Sequence, residues 1–304
     1  MSVRFQTVDE AADGQRLDNY LLKHLKGVPK SHIYRVIRKG EVRVNKGRKK
    51  AQYKLKDGDV VRIPPIRTAS QKPISASNQL TDTLKKSIIF EDDGLIVLNK
   101  PSGIAVHGGS GISTGLIEAL RQIYKQPLEL VHRIDRATSG ILLVAKKRSV
   151  LKNLHQQLTQ HQIEKRYIAL VEGAWSKKRH SIDAPLSHNS RNAFVDAQGK
   201  EAISHFHPVK NFNTEDGIKA SLVEVLIETG RMHQIRAHAK HAKHPIAGDE
   251  KYGDKQFNQL LKNHGLGRLF LHAKQITFTN PTSAGLEKIT APLPADLQHL
   301  IERL

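Results

Sequence analysis

The chain cannot close around a single core. A polar stretch, residues 66–87, follows the Pro64–Pro65 pair, is rich in Ser, Thr, Asn and Gln, and separates two segments of different character. Such a composition reads as a linker. At 304 residues the chain is also long for one ordinary domain. Two folded units, residues 1–65 and 88–304, are therefore expected.

The first segment reads as two helices packed on a small sheet. Leu17, Leu21 and Leu25 recur every four residues and give a helix over Asp13 to Leu25 one apolar face. Pro29–Lys30–Ser31 opens a second helix, with Ser31 as its cap and Ile33, Tyr34 and Ile37 as its buried side. Gly40 ends it where a left-handed residue is favoured. Val42 and Val44 alternate with Glu41 and Arg43 in a short strand, and VVRI, residues 60–63, makes another.

Charge is concentrated here. The segment has 16 Lys/Arg against 7 Asp/Glu, and from Lys23 to Lys50 eleven basic residues accompany one acid, Glu41. The whole chain carries 49 Lys/Arg against 29 Asp/Glu, a formal charge of +20. That excess favours a polyanion, nucleic acid first. Lys30, Arg35, Arg38, Lys39 and Arg43 are the candidate phosphate contacts, which position a nucleic acid without reading its sequence. A solvated basic face would have the same composition.

The second segment mixes strands and helices with no fixed alternation, which indicates an α+β fold. IIFEDDGLIVLNKPSG, from residue 88, reads as strand, Asp-Gly turn, strand and Pro-Gly loop. Three stretches carry candidate chemistry. In VHRIDRATSGILLVAKK, residues 131–147, His132, Arg133 and Asp135 crowd a loop directly before an apolar strand, Ile141 to Ala145. Functional groups are commonly placed in this way, although a structural Asp–Arg pair fits the same residues. In EKRYIALVEGAW, residues 164–175, Tyr167, Ala169 and Val171 share one strand face and Ile168 and Leu170 the other. Tyr167 is then either core or, with an RNA bound, a stacking platform. In LIETGRMHQIRAHAKHAKHPIAGDEKYG, residues 226–253, a helix begins near Arg231 with Ile235, Ala239 and Ala242 as its buried stripe. Arg231, His233 and Arg236 crowd its first turns, where the helix dipole disfavours cations, so an anionic partner is required.

Several chemistries are set aside. With no cysteine there are no disulfides, thiolate zinc sites or cysteine nucleophiles. His238, His241 and His244 run three apart along one basic helix, with no paired carboxylate in the run, so no metal is expected. HGGSG, residues 107–111, resembles a phosphate cradle but lacks the ending of a P-loop. It remains a candidate lining for an RNA groove. The longest apolar run is far too short for a membrane span, and MSVRFQTVDE has no apolar signal region. A cytoplasmic protein without a membrane association is expected.

HRIDRATSG, KRYIALVEG and GRMHQIRAH resemble the three signature motifs of the RluA-type pseudouridine synthases. LNKPSGIAVHGG, HPIAGDEKYG and RLFLHA follow in the family's order, and the likeness covers residues 88–304. RLDNYL and SHIYRVIRKGEVRVN resemble the small RNA-binding domain named after a small-subunit ribosomal protein, the αL motif. Ile134, Ala137, Met232 and Lys243 depart from the commoner family residues, and none of these removes a charged site residue.

The resemblance implies a central mixed, largely antiparallel sheet with a catalytic cleft, preceded by an αL-type domain. It also implies an isomerase that turns uridine into pseudouridine without cofactor. Asp135 becomes the catalytic carboxylate, as nucleophile or as proton acceptor from the sugar. The target base must leave its stack to reach it. Arg133 fills the vacated space, Tyr167 stacks on the flipped ring, and Arg236 pairs with the carboxylate, favouring its charged form. Domain order, GVPKS, RKGEVRVNK and AVHGGSG together most resemble members acting on large-subunit (23S) ribosomal RNA, free or in an assembling particle, with no obligate protein partner. Action on tRNA or another uridine, or a non-catalytic role in ribosome assembly, remains open at this level.

Overall fold

The computed structural model of the chain describes residues 2–25, 27–66, 76–108, 114–176, 180–189 and 192–304. Two compact units are present, Met1–Ile74 and Ser75–Leu304. No helix among the described residues is long and apolar enough to cross a membrane.

The first unit runs β1 (Arg4–Thr7), a 3₁₀ turn (Glu10–Ala12), α1 (Leu17–His24), α2 (Lys30–Arg38), β2 (Arg43–Val44) and β3 (Val60–Ile63). Its antiparallel sheet has the order β1-β3-β2. Leu17, Leu21 and Leu25 of the first helical face pack with Ile33, Val36 and Ile37 over Val44, Val61 and Ile63. Three local expectations are corrected. α1 starts at Leu17 instead of Asp13, because the Gly14 and Leu17 N–H groups donate to the Leu55 and Tyr53 carbonyls at 2.7 and 2.8 Å. Ser31 lies inside α2, whose N-cap is Pro29 and which has no side-chain cap. Tyr34 is exposed, and Val36 takes the buried place. The Tyr34 hydroxyl donates to Asp18 Oδ2 at 3.0 Å, a buried carboxylate that Arg16 also holds at 2.6 Å.

The second unit begins with α3 (Asn78–Lys86), β4 (Ile88–Glu91), β5 (Leu95–Lys100), α4 (Leu116–Tyr124), β6 (Glu129–Leu130), β7 (Ser139–Ala145), α5 (Arg148–Thr159) and β8 (Glu164–Glu172). It continues with β9 (His180–Asp183), β10 (Leu186–His188), β11 (Ala193–Val195), β12 (Ile203–Asn213), β13 (Lys219–Ile227), α6 (Gln234–His241), α7 (Lys255–Asn263), β14 (Leu271–Thr279), β15 (Leu286–Thr290) and α8 (Ala295–Arg303). α3 corrects the linker reading over residues 78–86. Ser77 caps it by accepting the Leu80 N–H, and Leu84 anchors it in the core under α4. Residues 67–75 of the expected linker lie outside the described residues.

One ten-stranded sheet forms the centre, with the order β4-β5-β7-β14-β8-β13-β12-β9, β15 beside β14 and β6 beside β7. β7 and β14 pair in parallel; the sheet's other strand pairings among the described residues are antiparallel. The apolar run at β7 is explained by burial on both faces. Ile141 and Leu143 meet α5 side chains, while Leu142 and Val144 meet those of α3 and α4. Along β8 the expected alternation holds. Tyr167, Ala169 and Val171 enter one core, and Ile168 and Leu170 enter the other with Phe257, Leu261, Leu297 and Leu300 of α7 and α8.

Candidate active site

Asp135 sits on the loop joining β6 to β7, and that loop is tied down on both sides. At its C-terminal end Gly140 pairs with Ala273 of β14. Gly140 has φ +107°, and a Cβ there would lie 2.3 Å from the Ala273 carbonyl oxygen. Only glycine permits both the backbone conformation and the approach. On the other side Ser102 Oγ donates to the Ala137 carbonyl at 2.6 Å, and Arg136 Nε donates to the Gly103 carbonyl at 2.8 Å. Lys100, fully buried at the end of β5, donates to the carbonyls of Pro101, Ile104 and Arg136 at 2.8, 3.0 and 3.2 Å. Burial pushes its pKa down to about 7. His132 turns inward and accepts the Leu143 N–H on Nε2 at 3.2 Å, with burial pushing its pKa down to about 4.

Asp135 and Asp249 provide Arg236 with the anionic contacts that the sequence demanded of a cation at a helix start. Its Nη1 donates to Asp135 Oδ2 at 2.9 Å, while Nε and Nη2 grip Asp249 Oδ2 and Oδ1 at 2.7 and 2.9 Å. Asp249 has no exposed side-chain surface, Arg236 is 8% exposed, and Asp135 is 26% exposed. Burial works to raise the Asp249 pKa, but the Arg236 guanidinium and the Lys251 and Tyr252 N–H groups hold it below the usual range. Planar two-point gripping of this kind is what a guanidinium does best. Gly248 places Asp249: its φ is +71°, and a Cβ would lie 2.1 Å from the Arg268 carbonyl oxygen.

The helix α6 starts at Gln234, three residues later than Arg231. The Gln234 carboxamide oxygen accepts the Arg231 N–H at 3.0 Å and the Thr229 hydroxyl at 2.8 Å, which keeps the preceding turn out of the helix. Arg231 is exposed, donating to the Glu201 carbonyl instead of to a carboxylate.

Asp135, Arg133, Tyr167, His233 and Arg236 all line one cleft of about 2040 Å³. Arg133 is exposed there and has no ion pair among the described residues. Tyr167 is 8% exposed; burial and the nearby Asp135 charge both raise its pKa. Lys165, two residues earlier on β8, also lines the cleft, with burial lowering its pKa to about 8.

The histidine run does not converge. His238 is buried between the Ser204 hydroxyl and the Ala184 carbonyl, and His244 contacts the Glu172 carbonyl. Among the described residues no group of three or more His, Asp or Glu could hold a metal ion. His107 of the HGGSG run lines the cleft, while residues 109–111 lie outside the described residues. In the first unit, Lys30, Arg35, Arg38, Lys39 and Arg43 are all exposed, and none is ion-paired among the described residues. Asp249 and Tyr252 were missed from the sequence, although the family-like stretch HPIAGDEKYG carries them.

Comparison with known proteins decides the family. A family model described as RNA pseudouridylate synthase matches residues 94–241, and one described as S4 domain matches residues 15–61. Ribosomal large subunit pseudouridine synthase C of Haemophilus influenzae is 51% identical to this chain, covering 100% of it and 95% of the relative. The chain belongs to the RNA pseudouridylate synthase family. The protein of the same name from Escherichia coli is 48% identical over 98% of this chain and 95% of its own length. Among solved structures, human RNA pseudouridylate synthase domain containing 4 has the same fold, with a TM-score of 0.61 and 23% identity over 74% of this chain and 95% of that one. The catalytic unit of this pseudouridine synthase is thus the second unit, and the first is its S4 domain.

Proposed function

We propose that the chain isomerises uridine to pseudouridine in large-subunit ribosomal RNA, with Asp135 as the reacting carboxylate. The observation that carries this reading is the Asp135–Arg236 pair at 2.9 Å, in a cleft that also presents the Tyr167 ring. Oδ2 is held by Arg236, while Oδ1 makes no hydrogen bond among the described residues. Oδ1 is therefore free to act at C1′ or on the C2′ hydrogen.

The reaction balances without redox chemistry. The N1–C1′ bond breaks, the base turns, C5 bonds to C1′, the C5 proton leaves and N1 gains one. Tyr167 supports the flipped ring by stacking, and Arg133 takes the place the base vacates. Arg236, itself anchored by Asp249, keeps the carboxylate aimed. Lys30, Arg35, Arg38, Lys39 and Arg43 of the S4 domain contribute affinity through phosphates. The ribosomal substrate is taken from the names of the relatives, and a cytoplasmic enzyme fits that reading.

The test is a pseudouridine map of large-subunit rRNA from cells lacking the protein, then with wild type or Asp135→Asn restored. Loss of a few sites, regained only with wild type, is expected. An unchanged rRNA map with sites lost from tRNA would refute the ribosomal substrate, and full rescue by Asp135→Asn would refute the role of Asp135.

A further inference from the structure

His233 occupies the N-cap position of α6 with φ +52°, an uncommon conformation for a residue with a side chain. Such strain persists where the surroundings determine it, and it gathers at functional sites. Here the Gln234 carboxamide fixes the preceding turn, and Tyr252 fixes the ring.

The hydrogen-bond pattern favours one tautomer of the ring. The Tyr252 phenol oxygen accepts the Ala193 N–H at 2.7 Å and lies 2.8 Å from His233 Nδ1. The phenol has one proton to donate, and Nδ1 is the acceptor beside it. A neutral imidazole then carries its proton on Nε2. Burial lowers the His233 pKa more than Asp135 raises it, and Arg236 and Lys251 lower it further while Asp249 raises it, with a net lowering that favours the neutral ring. Tyr252 is braced in turn, since the Arg236 guanidinium lies 5.0 Å from its ring centre.

Nε2 lies 3.8 Å from Asp135 Oδ2. That is too long for a hydrogen bond, and both groups line the same cleft, so a substrate oxygen placed between them would be within reach of each. Whether Asp135 adds to C1′ or takes the C2′ hydrogen, it must approach the C1′–C2′ edge of the sugar. The 2′-hydroxyl is the sugar's one hydroxyl on that edge. We infer that His233 Nε2–H binds the 2′-hydroxyl of the flipped uridine, held in place by Tyr252, and so selects ribose over deoxyribose. This rests on the proposed reaction of Asp135 with the sugar. The 2′-hydroxyl is also the group by which a protein tells RNA from DNA at a single site.

The experiment uses full-length protein and two forms of a large-subunit rRNA transcript. In one, the uridines that wild type converts are intact; in the other, 2′-deoxyuridine is introduced at those positions by ligation. Affinity for each is measured by competition, which works whether or not the deoxy transcript is turned over. Wild type is expected to bind the ribose form roughly ten-fold more tightly, the scale of one well-placed hydrogen bond in a partly buried site. His233→Phe should bring that ratio near one while leaving affinity for the deoxy transcript unchanged. His233→Gln, which retains a side-chain N–H at similar reach, should keep part of the ratio. Tyr252→Phe keeps the ring against Arg236 but frees Nδ1, and should lower the ratio even where His233→Phe does not fold. A wild-type ratio retained in both His233→Phe and Tyr252→Phe would overturn the inference. Failure of the underlying reading shows separately, as undiminished conversion of the ribose transcript by Asp135→Asn.

Discussion

Two carboxylates share one guanidinium, and their burial predicts different costs in stability for losing each. Asp249 has no exposed side-chain surface and takes two of the three Arg236 contacts; Asp135 is 26% exposed and takes one. In Asp249→Ala the buried guanidinium loses its bidentate anchor. Removing one member of such a buried pair typically costs about 3–5 kcal/mol. Against a domain stability of about 5–15 kcal/mol, that is a large share. In Asp135→Asn the guanidinium keeps Asp249, and the amide oxygen can still accept from Nη1. A partly exposed contact of this kind contributes about 0–1 kcal/mol. Urea unfolding of each variant, followed by circular dichroism and paired with pseudouridine formation on the rRNA transcript, separates the cases. Asp249→Ala should lose both stability and activity, whereas Asp135→Asn should unfold close to wild type and be inactive. Equal destabilisation by the two substitutions would refute the argument from burial.

Three further outcomes are expected. His272 is fully buried between the Ser139 hydroxyl and the Ala291 carbonyl, and burial pushes its pKa from 6.5 down to about 4. Its stabilising contribution is complete above pH 6.5 and is lost as pH falls toward 4, by up to roughly 1.4 kcal/mol per pH unit; His272→Gln should flatten the stability–pH curve in that window. Gly140→Ala forces a Cβ to 2.3 Å from the Ala273 oxygen at a φ of +107°, and should cost about 2–4 kcal/mol in denaturant unfolding and abolish conversion. Arg35→Gln with Arg38→Gln should weaken RNA binding uniformly across sequences and lower the salt slope by about 1 for each phosphate no longer neutralised, read from affinities between 50 and 200 mM salt.

Much of the fold was legible because its signals are local. The β7 run is apolar since both faces are covered, and the β8 alternation separates two cores residue by residue. The site was legible to the extent that motifs carry its side chains: Asp135, Tyr167 and Arg236 do line one cleft. What escaped depends on three-dimensional neighbours. Asp249 takes its place only once Gly248 presses against Arg268 and aims it at Arg236. Tyr34 has the spacing of a core residue, but it lies exposed with its hydroxyl donating to the buried Asp18 carboxylate. α3 was hidden by its polar composition, with Leu84 alone in it fully buried.

The site's construction also dictates when, during synthesis, activity can first exist. Asp135 and Arg236 are 101 positions apart, and β7 is held between β5 and β14, which begins only at Leu271. A nascent chain that has exposed all three motifs still lacks the strand against which Gly140 seats the Asp135 loop. The S4 domain, built from a short stretch of chain, does not wait for it, since domains generally fold in order of emergence. Non-local strand pairings such as β7 with β14 are slow to form. The capacity to hold RNA therefore matures early in translation, and the capacity to isomerise it matures last.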